Sequence, residues 1–293
     1  MRKWKHDIGL ESRMLLTMFL LGAVYLFFLV FLAANGTDSM FILLFAGVMM
    51  FVQYYYSDKM VLWTSGARIV SASEEPELHE IITRLCAIAD LPVPRIAIMN
   101  TMMPNAFATG RNQKNAVVAV TTGLMRSLDR EELEAVLGHE LTHIKNRDMT
   151  VLTIASFLST VAFFIVRYAL YFTGGNDRRN GNGGLIVVWI VSMIVWVISF
   201  LLIRALSRYR EFSADRGSAI ITGKPSKLAS ALMKISGTMQ RVPSEDLRKV
   251  EGMNAFFIIP AISGSSIMQL LSTHPSTEKR LAALEKLERE LEF

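Results

Sequence analysis

The chain has 293 residues, 52% of them hydrophobic, and a formal net charge of +5; its mean hydropathy is +0.35 and its pI is about 9.3. That apolar excess sits in a few uninterrupted runs, which excludes an ordinary soluble protein and implies an integral membrane protein in contact with a lipid bilayer. The basic residues follow the edges of those runs and the faces of helices without any nucleic-acid-binding motif, so they read as topology signals and headgroup contacts, and no nucleic acid is expected as a partner.

Leu15 to Ala34 carries no charge and is long enough to cross a bilayer core. Met40 to Tyr56 is a second, slightly shorter run, with Tyr54, Tyr55, Tyr56 and Trp63 supplying an interfacial aromatic belt. Met149 to Phe172, broken only by Arg167 near its end, and Leu185 to Ile203 make a third and fourth. The first run is too long for the apolar core of a cleaved signal peptide. Arg2, Lys3, Lys5 and Arg13 precede it, whereas the loop 35–39 has no Lys or Arg, so the positive-inside rule places the N-terminus in the cytoplasm. Arg178 and Arg179 in the loop 174–184 are a minor dissent. If the last two runs formed a re-entrant hairpin, both flanking domains would still share one side. The expected organisation is a cytoplasmic N-terminus (1–13), a transmembrane hairpin (14–56), the first part of a cytoplasmic domain (57–148), a second hairpin (149–206) and the second part of that domain (207–293).

Between the hairpins, Pro76 to Leu85 has apolar residues at helical spacing. His79 falls on its polar side, where a solvated histidine and a metal ligand are both open readings. Cys86, the only cysteine, fits a small buried core position and excludes an internal disulfide. The segments 95–99, 105–110 and 116–120 read as strands of a small antiparallel sheet. Asn105, Ala106 and Phe107 belong to a strand that serves either as an edge to which an extended substrate adds or as a buried sheet member. Asp129 followed by Glu132 resembles a capping box and opens the next helix. The expected fold class is an α+β domain integrated with about four transmembrane helices.

That helix carries His139-Glu140-Leu141-Thr142-His143. Residues four apart share a helical face, so both imidazoles can reach one zinc ion, and Glu140 stands beside it as a general base. A catalytic zinc takes a third protein ligand and keeps one position open. Glu211, after the fourth apolar run, is the candidate, and Asp215 one turn further on can accept the second ring proton of a ligand histidine. Glu211 and Asp215 could instead form intrahelical pairs with Arg208 and Arg210. An even number of spans between His143 and Glu211 returns the chain to one face of the membrane, where the site can assemble.

This HELTH motif, the following Asn146-Arg147-Asp148, two apolar runs and then Arg210-Glu211-Phe212-x-Ala214-Asp215 resemble the HtpX family of membrane-bound zinc metalloproteases, a gluzincin-type group related to CAAX prenyl proteases. Residues 105–110, the segment Gly252 to Phe257, and Ser272-Thr273-His274-Pro275 with Lys279-Arg280 also resemble family motifs. The resemblance implies one zinc ion per subunit, held by His139, His143 and Glu211, and a water whose proton Glu140 takes. It implies His274 as a further donor to the oxyanion, although His274 would equally cap the last helix. It also implies an endopeptidase of the bacterial inner (plasma) membrane, multi-pass, with its catalytic domain facing the cytoplasm. Its substrates would be misfolded or damaged membrane proteins, in quality control and the stress response. A non-catalytic scaffold or chaperone with structural zinc, and a prenyl-protein processing protease, are the alternatives. Glu140 speaks against the first, since a closed structural site needs four protein ligands and no base. Four spans are few for the enclosed chamber the second requires.

Overall fold

A computed structural model describes residues 8–34, 39–172, 182–239 and 272–291. Arg2, Lys3 and Lys5, the loop arginines Arg178 and Arg179, and the segment Gly252 to Phe257 lie outside the described residues. Two long helices, α1 (Ile8–Ala34) and α2 (Ser39–Ser65), lead into β1 (Arg68–Ile69), α3 (Pro76–Ala89), β2 (Arg95–Met99), β3 (Ala106–Thr109) and β4 (Val117–Thr121). Then come α4 (Thr122–Ser127), α5 (Arg130–Lys145), α6 (Asp148–Phe172), α7 (Asn182–Thr222), α8 (Pro225–Met239) and α9 (Thr277–Leu291).

The sheet is mixed, in the order β1-β2-β4-β3, which corrects the antiparallel expectation. β1 pairs with β2 and β3 with β4 antiparallel, but β2 and β4 run parallel, Arg95 opposite Val117 and Met99 opposite Thr121. The cause lies in the connection after β2. It does not fold back on that strand but crosses to the far side of the β4 position. There Asn105 is fixed by Thr121, whose N–H donates to the Asn105 carbonyl at 2.9 Å and whose Oγ1 accepts from the Asn105 N–H at 2.9 Å. β3 is therefore an edge strand, and the hairpin to β4 sets β4 parallel to β2.

The alternation of side chains along β4 divides its residues between two cores. Val118 and Val120 pack with Leu78, Ile81 and Leu85 of α3, Leu137 and Leu141 of α5, and Leu228 and Leu232 of α8. Val117 and Ala119 face Phe107 and the end of α2 at Val61 and Leu62. Cys86 is buried in the first core, where burial pushes its thiol up to about 11, in keeping with an inert packing role. His79 is half-buried, its Nε2 3.1 Å from the Val70 carbonyl and outside any metal-ligand group among the described residues.

Among the described residues, α1 and Ile186–Thr222 of α7 are long and apolar enough to cross a membrane. α1 seats Leu21, Tyr25, Phe28 and Leu32 against α6 and α7, and leaves Leu15, Phe19, Leu26 and Phe27 outward and exposed, as lipid contact requires. The runs 40–56 and 149–172 lie within α2 and α6. α7 has 41 residues without a proline. At 1.5 Å per residue it is about 60 Å long, roughly twice the hydrocarbon thickness of a bilayer. Its second half therefore extends into the α+β domain, where it packs on α5.

That contact is unusually close. A Cβ on Gly217 of α7 would stand 2.3 Å from Thr142 Cγ2 and 2.5 Å from its Oγ1. Thr142 is fully buried and donates to the Gly138 carbonyl at 2.8 Å, so it has nowhere to move. Gly217→Ala is expected to destabilise the protein by about 1–3 kcal/mol through overpacking. Gly237→Ala, where a Cβ meets nothing within 4 Å, should leave stability unchanged or raise it. Thermal unfolding of both variants in detergent checks the pair, and equal midpoints would show that the close approach is not a constraint.

Candidate active site

α5 begins with a full capping box: the Asp129 carboxylate accepts from the Glu132 N–H at 2.8 Å, and Glu132 accepts from the Asp129 N–H at 2.9 Å. Glu132 also receives Ser230 Oγ at 2.7 Å and Lys234 Nζ at 2.6 Å, which ties the start of α5 to α8. The helix ends at Lys145, and Arg147 takes a left-handed φ of 55° so that α6 can restart at Asp148. His139, Glu140 and Thr142 are buried on α5, with His143 close behind them.

Across from them, α7 brings Glu211 and Asp215 to the two histidines. His139 Nε2 and His143 Nε2 are 3.1 Å apart. Glu211 completes the group, with Oε2 3.6 Å from His139 Nε2 and Oε1 3.4 Å from His143 Nε2. Ligand atoms of these three residues all lie within 4.8 Å of one another. Asp215 Oδ1 stands 2.9 Å from His139 Nδ1, and Asp148 Oδ2 stands 2.6 Å from His143 Nδ1. With each Nδ1 beside a carboxylate, both Nε2 atoms are left to face the same point as Glu211. Three lone-pair donors facing one another repel unless a cation sits among them.

Charge counting agrees. The buried residues around this point include the carboxylates Glu140, Asp148, Glu211 and Asp215 and the guanidiniums Arg210 and Arg280, which leaves two uncompensated negative charges when the imidazoles are neutral. Buried charge of this kind is held by a partner or a metal, and a divalent cation balances it. The same imbalance sets the direction in which these groups shift. Burial pushes the His139 and His143 rings down, yet hydrogen bonds with Asp215 and Glu211 at the first, and with Glu211 at the second, outweigh it and raise both. Burial pushes Glu211 up, but the His274 charge and hydrogen bonds from His139, His143 and His274 hold it well below the ordinary carboxylate range. Glu140 goes the other way: burial raises it against the pull of the two histidines and an N–H from Ala108. The donor set suits zinc, two imidazoles and a carboxylate with room for another ligand.

The intrahelical pairing of Arg208 and Arg210 with Glu211 and Asp215 is not what holds these side chains. Arg210 ion-pairs with Asp148 and donates to the Asn146 carbonyl at 2.9 Å, while Arg208 donates to the Ser272 carbonyl at 3.0 Å. Asp215 is gripped by Arg280 of α9, Nε to Oδ2 at 2.8 Å and Nη2 to Oδ1 at 2.6 Å. His274 Nδ1 is 3.0 Å from Glu211 Oε2, and among the described residues neither of its buried ring nitrogens has a hydrogen-bond partner. Asp148, Arg210 and Arg280 all stood within the motifs, but none of them had a site role assigned from the sequence. The signal available was residue type alone, an acid five residues after His143.

A cavity of 560 Å³ opens onto these residues. Ala106, Phe107 and Ala108 of β3 form one wall, all buried, so this edge strand faces the cavity rather than open solvent. Asn105 is also buried but its backbone is committed to Thr121. Away from the histidines the cavity runs between α6 and α7 past Leu152, Phe163, Trp196 and Phe200.

Asp148→Asn and Asp215→Asn each remove the acceptor that fixes a histidine tautomer. Each is expected to weaken zinc affinity about 10- to 100-fold, as measured by chelator competition followed by metal analysis. Unchanged affinity in both variants would contradict the role given to the two acids.

A model of peptidase family M48 matches residues 72–288. The protease HtpX homolog 2 of Methanosarcina acetivorans is 71% identical over 291 residues, 99% of each chain. The protease HtpX homolog of Moorella thermoacetica is 62% identical over 295 residues, 99% of this chain and 98% of its own. The crystal structure of Ste24p from S. mikatae has a TM-score of 0.57 at 16% identity, covering 95% of this chain and 67% of that one, a likeness of fold. A family model spanning most of the chain, end-to-end relatives, long apolar helices and a buried group of metal-ligating residue types converge: the chain belongs to peptidase family M48 and is a membrane metalloprotease of the HtpX type.

Proposed function

We propose that this protein is a zinc-dependent endopeptidase that cuts misfolded or damaged membrane proteins at the cytoplasmic face of the plasma membrane. The single observation that carries the reading is the buried group His139, His143 and Glu211 with Glu140 beside it, opening onto a cavity that continues between α6 and α7. One zinc ion per subunit, held by those three residues, would supply Lewis acidity toward water and toward the scissile carbonyl.

The chain's own residues do the rest. Glu140, a buried carboxylate raised by its surroundings, is poised to take a proton from the attacking water and return it to the leaving amine. Ala106 and Ala108 line the cavity along β3, the edge strand of the sheet, which supports addition of an extended substrate as a strand irrespective of its side chains. That mode supports broad specificity, and Phe107 and Ala106 are retained as substrate-strand residues while Asn105 anchors the strand. The ring nitrogens of His274 stand without hydrogen-bond partners at the cavity beside Glu211, which supports His274 as a donor to the developing oxyanion. Asp215 and Asp148 hold the histidines.

The apolar cavity wall of Phe163, Trp196 and Phe200 supports substrates with apolar segments drawn from the membrane. For topology we retain four spans, with hairpins 14–56 and 149–206 flanking a cytoplasmic metalloprotease domain assembled from 57–148 and 207–293. A stress-response setting follows from the proposed substrates.

The test compares degradation of casein by zinc-loaded wild type and Glu140→Gln in detergent. Loss of general-base catalysis is expected to lower turnover by about 10²–10⁴-fold with zinc content unchanged. Equal turnover would overturn the assignment of Glu140.

A further inference from the structure

A second cavity, of 400 Å³, lies between the first turns of α1, the lower part of α7 and α9. One wall is apolar, built from Leu10, Phe212, Leu284 and Leu287. Arg13, Arg216 and Lys286 also line it. Against these three cations stands Glu290, whose carboxylate is shared loosely, 3.8 Å from Arg216 Nη1 and 4.0 Å from Lys286 Nζ. Asp215 reaches the cavity floor but is already gripped by Arg280 and His139. Among the described residues, the lining therefore carries an excess of positive charge beside apolar surface.

Its depth is fixed by the sequence. Arg13 stands two residues before the uncharged run Leu15 to Ala34, so the cavity lies where hydrocarbon gives way to headgroups. We infer that this cavity binds the phosphate-bearing headgroup of an anionic phospholipid from the leaflet on the side of the α1 N-terminus. The cations meet the phosphate, and the apolar wall meets the glycerol backbone and the first methylenes. A soluble phosphate shares the charge chemistry but leaves the apolar wall uncovered, which is why the lipid is the better occupant. A headgroup here braces α7 against α9 at the seam where Arg280 holds Asp215. The inference rests on the membrane placement of α1 and is independent of the peptidase chemistry.

The test is native mass spectrometry of the full chain released from detergent, titrated with phosphatidylglycerol or phosphatidylcholine. One phosphatidylglycerol is expected to be retained in preference to phosphatidylcholine. Arg216→Gln/Lys286→Gln should weaken that retention about thirtyfold, from the attraction typical of two basic residues at a membrane surface. Lys279→Gln/Arg289→Gln, the same charge change on exposed positions of α9 outside the cavity, should not weaken it. Lys286 is 75% exposed, so Lys286→Gln alone keeps the fold and should still weaken retention about fivefold. Equal retention of the two lipids, equal loss in the control pair, or displacement by glycerol 1-phosphate as effective as by the lipid would each overturn the proposal.

Discussion

The close approach of α5 and α7 is the constraint on which the rest of the structure depends. A Cβ on Gly138 would stand 3.2 Å from Ser218 Oγ, and Gly217 already abuts Thr142, so small residues on both helices let the two backbones come together. Ser218 Oγ donates to the Ala135 carbonyl at 2.6 Å and fixes the register. His139 follows Gly138 directly, His143 follows Thr142 directly, and Asp215 precedes Gly217 by two residues. The contact that packs the helices is therefore the contact that assembles the site. Because α7 is one continuous helix, its apolar half and the half that carries Glu211 and Asp215 form a single rod.

Around that seam each histidine is held by an acid, and each acid by an arginine. His139 leans on Asp215 and Arg280, which brings in α9; His143 leans on Asp148 and Arg210, which binds the start of α6 to α7. Each ion pair is nearly dry, so removing either partner leaves an uncompensated buried charge. The arrangement concentrates negative charge at the point where three ligand atoms converge. It also distributes the support over four helices from distant parts of the chain.

Much of this was legible in the sequence. The spacing of His139 and His143, the Asp129 and Glu132 capping box and the apolar runs are local patterns governed by helical periodicity, and the structure has each of them on a helix. Glu211 and Asp215 could be singled out because residues four apart share a face. The parallel pairing of β2 with β4 could not, since it depends on where the connection after β2 crosses rather than on any strand's own composition. Nor could Arg210 and Arg280, whose carboxylate partners lie 62 and 65 residues away in the chain. The continuity of α7 was hidden by a change in composition near residue 206 with no break in the backbone.

In the proposed site, two imidazoles set beside carboxylates and the Glu211 carboxylate would hold the metal while His274 stays off it. X-ray absorption at the zinc edge of the purified protein tests it most directly. Two imidazole nitrogens among light-atom ligands are expected, with the Glu211→Gln variant losing an oxygen contribution and His274→Ala leaving the spectrum unchanged. A third imidazole in the wild type that disappears in His274→Ala would contradict it.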